Sequence, residues 1–342
     1  MIRSVAAGGA HTCVILDDGS VRCLGSNEDG QAGATGTASV DKLQPVPGIQ
    51  AATALALGDD FSCAVHGERV VSCWGSDSSG QLGAGTITGA SRPSPGPVAD
   101  LHGVDQLDAG DWHAAAVLES GSVVFWGRNN VGQHGDGGEE DRGAATMSTT
   151  VTATRGLALG GFHGCGIQPD GAVQCWGWNE WGQLGDGTAG KQAVRRNPVT
   201  VVGLAGAQQL ALGENHSCAR IADGAVRCWG SDEYGQLGDG GKRDSKKPIA
   251  VKDLAGAVEL VAGGYHTCAR LADGGVRCWG SNESEQLGDG TKENRRVPTA
   301  VAGLGPARQL AAGREHTCAL LQDDSLWCWG GRAGARPTRV EL

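Results

Sequence analysis

Every cysteine of this chain has a partner ten residues away. The pairs are Cys13 with Cys23, Cys63 with Cys73, Cys165 with Cys175, Cys218 with Cys228, Cys268 with Cys278 and Cys318 with Cys328, and they use all twelve cysteines. Each pair sits inside a recurring phrase, written most fully as GGYHTCARLADGGVRCWGSNESEQLGDGT at residues 263–291. The residue two before each first cysteine serves as a phase marker: His11, His163, His216, His266 and His316, with Phe61 in one copy and His113 in a copy that has no cysteine. The copies number seven, at intervals of 50 to 53 residues. Self-similarity at that period means a solenoid or a propeller.

Each copy divides into four short strand-like segments separated by Gly, Asp, Asn and Ser clusters that read as turns. In the sixth copy they fall at 258–263, 266–271, 275–280 and 298–304. No helical period appears. The expected fold is all-β, a seven-bladed β-propeller of four-stranded antiparallel blades in a closed ring, which lets 342 residues form one domain. The repeats run approximately 1–48, 49–102, 103–154, 155–204, 205–254, 255–304 and 305–342. The last segment, 337–342, could complete its own blade or lie against the first.

The cysteine spacing specifies a hairpin. A three-residue loop of Asp17, Asp18 and Gly19 sets Leu16 opposite Ser20 and Cys13 opposite Cys23. Gly19, Gly171, Gly224 and Gly274 supply the left-handed residue that ends such a loop, with Asp324 as a substitute, while Gly67 comes two residues early. Facing antiparallel residues lie about 4.5 to 5.5 Å apart at Cα, within the reach of a disulfide. In the third copy Ala115 and Phe125 replace both cysteines at once, as pairing requires. The competing readings are reduced, buried thiols and a His-x-Cys metal site; the absence of Cys-x-x-Cys argues against the metal, and the histidines read as structural. Neither metal nor cofactor is expected.

Six disulfides imply an oxidising compartment: secreted, periplasmic or cell-surface. No apolar signal segment precedes the first strand, and no stretch approaches membrane-spanning length, so no membrane partner is expected.

The segments AAGGAHTC, CWGSNESEQLGDGT and Pro-x-x-Val-x-Gly-Leu, with Trp176-Gly-Trp-Asn179 followed by Gly182-Gln-Leu-Gly185, resemble the repeat of the regulator of chromosome condensation family. The resemblance covers essentially the whole chain and implies a seven-bladed propeller. In that family the founding eukaryotic member is a nuclear exchange factor for the GTPase Ran that binds chromatin, and bacterial relatives include proteinaceous β-lactamase inhibitors. The cysteine-rich hairpins suit the second setting, and a net charge of −10 argues against nucleic acid.

If strands alternate in direction, the loop before each phase marker and the loop after each Trp-Gly share one end of the ring. The first loop carries Gly9-Ala10, Asp59-Asp60, Asp111-Trp112, Gly161-Phe162, Glu214-Asn215, Gly264-Tyr265 and Arg314-Glu315. The second carries Arg128–Val131, Trp178 and Trp181, Tyr234, and Glu283–Glu285. Residues that vary on a repeated scaffold are free for recognition, and aromatic anchors in a polar surround are the composition of a protein or peptide interface. The bland alternative is that Phe162 and Tyr265 fill gaps between blades. The repeated Trp74, Trp126, Trp176, Trp229, Trp279 and Trp329 read as core, as does Leu24 in the first copy.

A basic arc of Lys191, Arg195, Arg196, Lys242, Arg243, Lys246, Lys247, Lys292, Arg295 and Arg296 reads as a solvated face or an acidic-partner site. Enzyme chemistry would fall to Asp59, Asp60, Asp111 and Glu214 with His113, but no nucleophile or phosphate motif supports it. The functional expectation is a monomeric, extracytoplasmic propeller that binds a protein or peptide through the aromatic and acidic rim. The alternatives are an enzyme inhibitor resembling the β-lactamase-inhibiting propellers, or an enzyme acting on a peptide.

Overall fold

A computed structural model describes residues 1–152 and 154–342. The described residues form seven four-stranded antiparallel sheets, one per repeat, each ordered as its strands occur in the chain. The blades span 2–45, 52–97, 104–152, 156–200, 207–250, 257–300 and 307–340. The first strand of each lines a central channel and the fourth forms the outer edge. The channel has a volume of about 300 Å³ and is walled by the inner strands of all seven blades.

Blade 6 shows how the sequence makes a blade. Its strands are Ala257–Ala262, His266–Leu271, Val276–Gly280 and Arg295–Ala300. The middle two bury nearly every side chain because sheets pack on both of their faces. The turn between them closes on Gly274 at φ 84°, and Cys268 faces Cys278.

The same register recurs in all six cysteine-bearing blades. Cys13 is bonded to Cys23, Cys63 to Cys73, Cys165 to Cys175, Cys218 to Cys228, Cys268 to Cys278 and Cys318 to Cys328. No cysteine is left free among the described residues, so the reading as reduced thiols is set aside. In every bridge the Cα atoms are 4.1 Å apart, closer than the ladder spacing expected. In blade 2 the loop is also three residues, with Arg69 at φ 60° in the closing position that Gly67 does not fill.

The fourth strand corrects the sequence reading. It begins three residues earlier than 298–304 and ends at Ala300. Val301 and Leu304 belong to the turn that follows, and their apolar side chains pack into the core beneath it. Hydrophobicity there marks the wrap over the blade, while the strand itself starts at the half-buried Arg295 and Arg296.

The ring closes without exchanging a strand: Thr338–Val340 pairs with the third strand of its own blade. Closure rests on seven glycines at the ends of the inner strands: Gly8, Gly58, Gly110, Gly160, Gly213, Gly263 and Gly313. The α-carbon of each packs on the carbonyl oxygen of the next, and Gly313 on that of Gly8, so tightly that a β-carbon would lie 2.2–2.7 Å from that oxygen. Only glycine permits such an approach. Across the closing seam, the Gln309 amide bridges both the N–H and the C=O of Val5 at 3.2 and 3.1 Å.

Most seams carry a further clasp, which explains the repeat phrase. The carbonyl of the Gln in Gly-Gln-Leu accepts the indole N–H of the following blade's core Trp, as Gln236 does from Trp279 at 2.9 Å. The same carbonyl accepts the hydroxyl of Thr267, which in turn meets Nε2 of His216 at 2.9 Å. Because the hydroxyl proton goes to the carbonyl, Nε2 of the histidine carries the other proton. Equivalent pairs are His11 with Ser62, His163 with Ser217, His266 with Thr317 and His316 with Thr12. Burial holds these histidines neutral, with pKa values near 3, and near 4 for His316. The phase marker is therefore a structural clasp.

Candidate functional site

The two loop ends do share one end of the ring. In blades 1 to 6 the residue after Trp-Gly, or after Leu-Gly in blade 1, donates its N–H to the carbonyl of the residue before the phase marker. Arg128 to Trp112 and Trp178 to Phe162 are two of these bonds, at 2.9 and 3.0 Å.

The two residues before each marker have different fates, because successive residues of an extended segment point to opposite sides. The first of the two faces the axis. Around the channel mouth stand Gly9, Asp59, Asp111, Gly161, Glu214, Gly264 and Arg314. Arg314 reaches across this mouth to blades two places away on either side, 3.3 Å from Asp59 and 3.2 Å from Glu214. The glycines make room for the charged chains: a β-carbon at Gly161 would lie 2.9 Å from Asp111 Oδ2, and one at Gly9 2.1 Å from Asp59 Oδ1.

Three carboxyls share one guanidinium, and the imbalance appears in their protonation. Burial, then the charges of Asp59 and Glu214, push Asp111 up to about 7. Burial also raises Asp59, with Arg314 opposing. Burial would lower Arg314, yet Glu214, Asp59 and Asp111 hold it above its ordinary value. Asp111 Oδ2 is buried without a hydrogen-bond partner. Deeper in the channel, burial lifts Asp108 to about 7, although it accepts the Leu159 N–H at 2.7 Å; nothing in the sequence reading singled this residue out.

The second of the two residues builds the rim. Trp112, Phe162 and Trp178 form a continuous aromatic ridge over blades 3 and 4, with ring centroids 5.4 and 5.5 Å apart and Arg128 5.1 Å above Trp112. Tyr234 and Tyr265 form a second pair over blades 5 and 6 at 5.4 Å. Burial, then a hydrogen bond to Glu214, raises Tyr265. Trp181 stands apart from the ridge and is 38% exposed. Asp60 accepts from Gln31 and is lifted to about 6 by burial and then by Asp59, Asp29 and Glu28. Glu315 accepts from Ser284 at 3.2 Å. Asn215 is half-buried beside the mouth, with its carbonyl bonded to Ser231.

The structure thus gathers Asp59, Asp111 and Glu214, and leaves Asp60 in a separate acidic group. His113 lies fully buried in the blade seam. Part of the basic arc is held in ion pairs, Arg195 with Asp186, Arg295 with Asp289, Arg196 with Glu139 and Lys292 with Glu285. Lys246 and Lys247 stay exposed.

Residues 1–302 match the RCC1-like domain, and residues 307–331 match the regulator of chromosome condensation (RCC1) repeat. The chain belongs to the RCC1 family. Within that family, the ultraviolet-B receptor UVR8 of Arabidopsis thaliana is 30% identical over 141 residues, 41% of this chain. That match spans 32% of UVR8's own length. Among solved structures, Prp20p of Saccharomyces cerevisiae, described with its binding to Gsp1p and histones, shares the fold at a TM-score of 0.84 and 21% identity. The match covers 94% of this chain and 84% of that one. Human WBSCR16 gives 0.85 at 24% identity, with 94% and 87% covered. The ectodomain of the Arabidopsis thaliana receptor kinase ACR4 gives 0.58 at 21% identity, with 100% and 98% covered.

Proposed function

We propose that this RCC1-family propeller binds a protein partner, in an oxidising extracytoplasmic setting, through the end of the ring that carries the mouth and the aromatic ridge. One observation carries the reading: the variable loops before each phase marker and after each Trp-Gly converge on that end of the ring. Trp112, Phe162 and Trp178 stack across blades 3 and 4, while Arg314 ties blades 2, 5 and 7 across the axis. Half-buried aromatics beside incompletely neutralised carboxyls suit a partner segment that presents apolar side chains next to a lysine or arginine. The six disulfides support the compartment. Protein binding by a propeller of the same fold, as described for Prp20p, supports the mode.

The test is a pull-down from the extracytoplasmic fraction of the source organism with wild type and with Trp112→Ala, Trp178→Ala and Trp181→Ala. Melting curves check that each variant is folded. Partner recovery falling at least tenfold for Trp112→Ala or Trp178→Ala, but not for Lys247→Ala on the outer face, is the expected result. Equal recovery for all of them removes the rim from the account.

A further inference from the structure

The outer edges of the blades are not alike. A fourth strand at the edge of a sheet exposes unpaired N–H and C=O groups that can template another strand, and proteins blunt such edges with proline and charge. The residue just before the one that faces the third-strand cysteine is Pro95, Pro198, Pro248, Pro298 and Pro337 in blades 2, 4, 5, 6 and 7. Cations accompany them, as Arg195 and Arg196, Lys246 and Lys247, and Arg295 and Arg296. Blade 1 has Leu43 in that place, directly after Asp41 and Lys42.

Blade 3 has neither device. Its fourth strand, Arg142–Thr152, is 11 residues long against 3 to 7 in the other blades. Ala145 occupies the proline position, next to Thr146, which faces Phe125 in the ladder. After Arg142, which is paired with Asp136, the strand holds no charge and no proline. It is instead rich in threonine, and Met147 is 59% exposed. An uncharged, proline-free run of β-formers on an edge is the composition that seeks another strand.

We propose that two copies of this chain associate edge to edge through this strand. Antiparallel pairing about a twofold axis through Thr146 sets Met147 of each copy against Ala145 of the other, large against small. No like charges face each other in that register, whereas in blades 4, 5 and 6 a proline without an N–H stands at the position of Ala145, with two cations on the strand before it. The straight stretch is short, because the Ser148 hydroxyl accepts the N–H of Thr150 and of Val151 and turns the chain. The interface is therefore small and the dimer weak, in the class below about 1,000 Å². It departs from the expectation of a monomer.

Sedimentation equilibrium of the full chain from micromolar to near-millimolar concentration tests the proposal. The expected result is a weight-average mass that climbs from 34.8 kDa toward twice that value. Met147→Lys places like charges across the axis and Ala145→Pro restores the blunted edge; each returns the mass to the monomer at every concentration. Lys247→Ala, on another edge, leaves dimerisation unchanged. Met147→Lys alters an exposed side chain, so it remains informative if Ala145→Pro perturbs folding. A wild type that stays monomeric throughout overturns the proposal, including the case in which the edge accepts only a foreign strand. So does a dimer that survives Met147→Lys.

Discussion

The seam between blades 5 and 6 and the seam between blades 3 and 4 solve the same problem with different chemistry. In the first, His216, Thr267, Gln236 and Trp279 form a continuous hydrogen-bonded clasp beside the Cys268–Cys278 disulfide. In the second, His113 Nε2 has no partner, because Gly164 stands where a Ser or Thr hydroxyl would be. A β-carbon at Gly164 would lie 2.8 Å from the Trp176 ring, so the indole fills that space. Phe125, in the cysteine position, packs edge-on to Trp176 at 5.9 Å and stacked on His134 at 5.6 Å. The lesson is that clasp residues change together. Phe61 of blade 2 faces a blade 3 with Ala114 in the hydroxyl position, and blade 1 has Leu24 for Trp where the preceding blade 7 has no Gly-Gln-Leu loop.

Acid should break the polar seams most. His11, His113, His134, His163, His216 and His266 titrate near 3 in the fold and His316 near 4, because of burial. The unfolded chain protonates them near 6.5, so as pH falls below that value it gains seven protons that the fold refuses. Four acids work the other way. Asp108 and Asp111, near 7, and the more open Asp60 and Asp232, near 6, hold protons in the fold that the unfolded chain loses above about 4, a contribution that fades as pH rises through 6 to 7. Seven against four leaves about three protons, each worth about 1.4 kcal/mol per pH unit. Stability therefore rises by several kcal/mol per unit near pH 5 and levels off near neutrality. Urea titrations between pH 4.5 and 7.5 check it. Hydrogen exchange should also show the seam between blades 2 and 3, where Phe61 and Ala114 have nothing to titrate, among the last to open.

Disulfides come next in size. Removing one bridge from a polar seam, with Cys268→Ala and Cys278→Ala together, should cost about 2 to 3 kcal/mol. Installing one in blade 3 with Ala115→Cys and Phe125→Cys should bring no net gain, because losing the Phe125 ring costs about 3 kcal/mol or more against Trp176 and His134. Chemical denaturation of both variants checks the pair. A seventh bridge that stabilises blade 3 by the full amount would mean that its apolar seam is loosely packed.

Much of this was legible in the chain. Equal spacing of the phase markers dictated seven blades, and the ten-residue cysteine interval dictated a three-residue hairpin with the sulfurs face to face. The position of the variable loops followed from strand alternation. The fourth strand was displaced because Val301 and Leu304 are apolar for the sake of the core and not of a sheet. Leu24 looked like a plain apolar substitution, since nothing in one blade's sequence says that its Trp reaches a carbonyl of the blade before. Asp59 and Asp60 looked equivalent as neighbours, yet the twofold alternation of an extended segment sends one to the axis and the other to the rim. Arg314 was visible only as a variable residue; its span to Asp59 and Glu214 depends on ring diameter, which no local pattern encodes.

The smallest effect is the most diagnostic of the comparison. Thr267→Val keeps the shape of the clasp but leaves His216 Nε2–H buried without its acceptor, at a cost of about 1 to 3 kcal/mol. The reciprocal experiment converts the apolar seam between blades 2 and 3. Phe61→His alone should destabilise, because Ala114 offers no hydroxyl to the new Nε2–H. Ala114→Thr alone gains a hydroxyl that can reach only the Gln81 carbonyl, already bonded to Trp126 Nε1 at 3.0 Å. Together they rebuild the clasp, so the double variant should be more stable than the sum of the singles by about 1 to 2 kcal/mol. Urea unfolding of the four proteins gives that coupling directly. If the changes add to within about 0.5 kcal/mol, the histidine and the hydroxyl are neighbours without being partners, and the joint changes at the irregular seams need another cause.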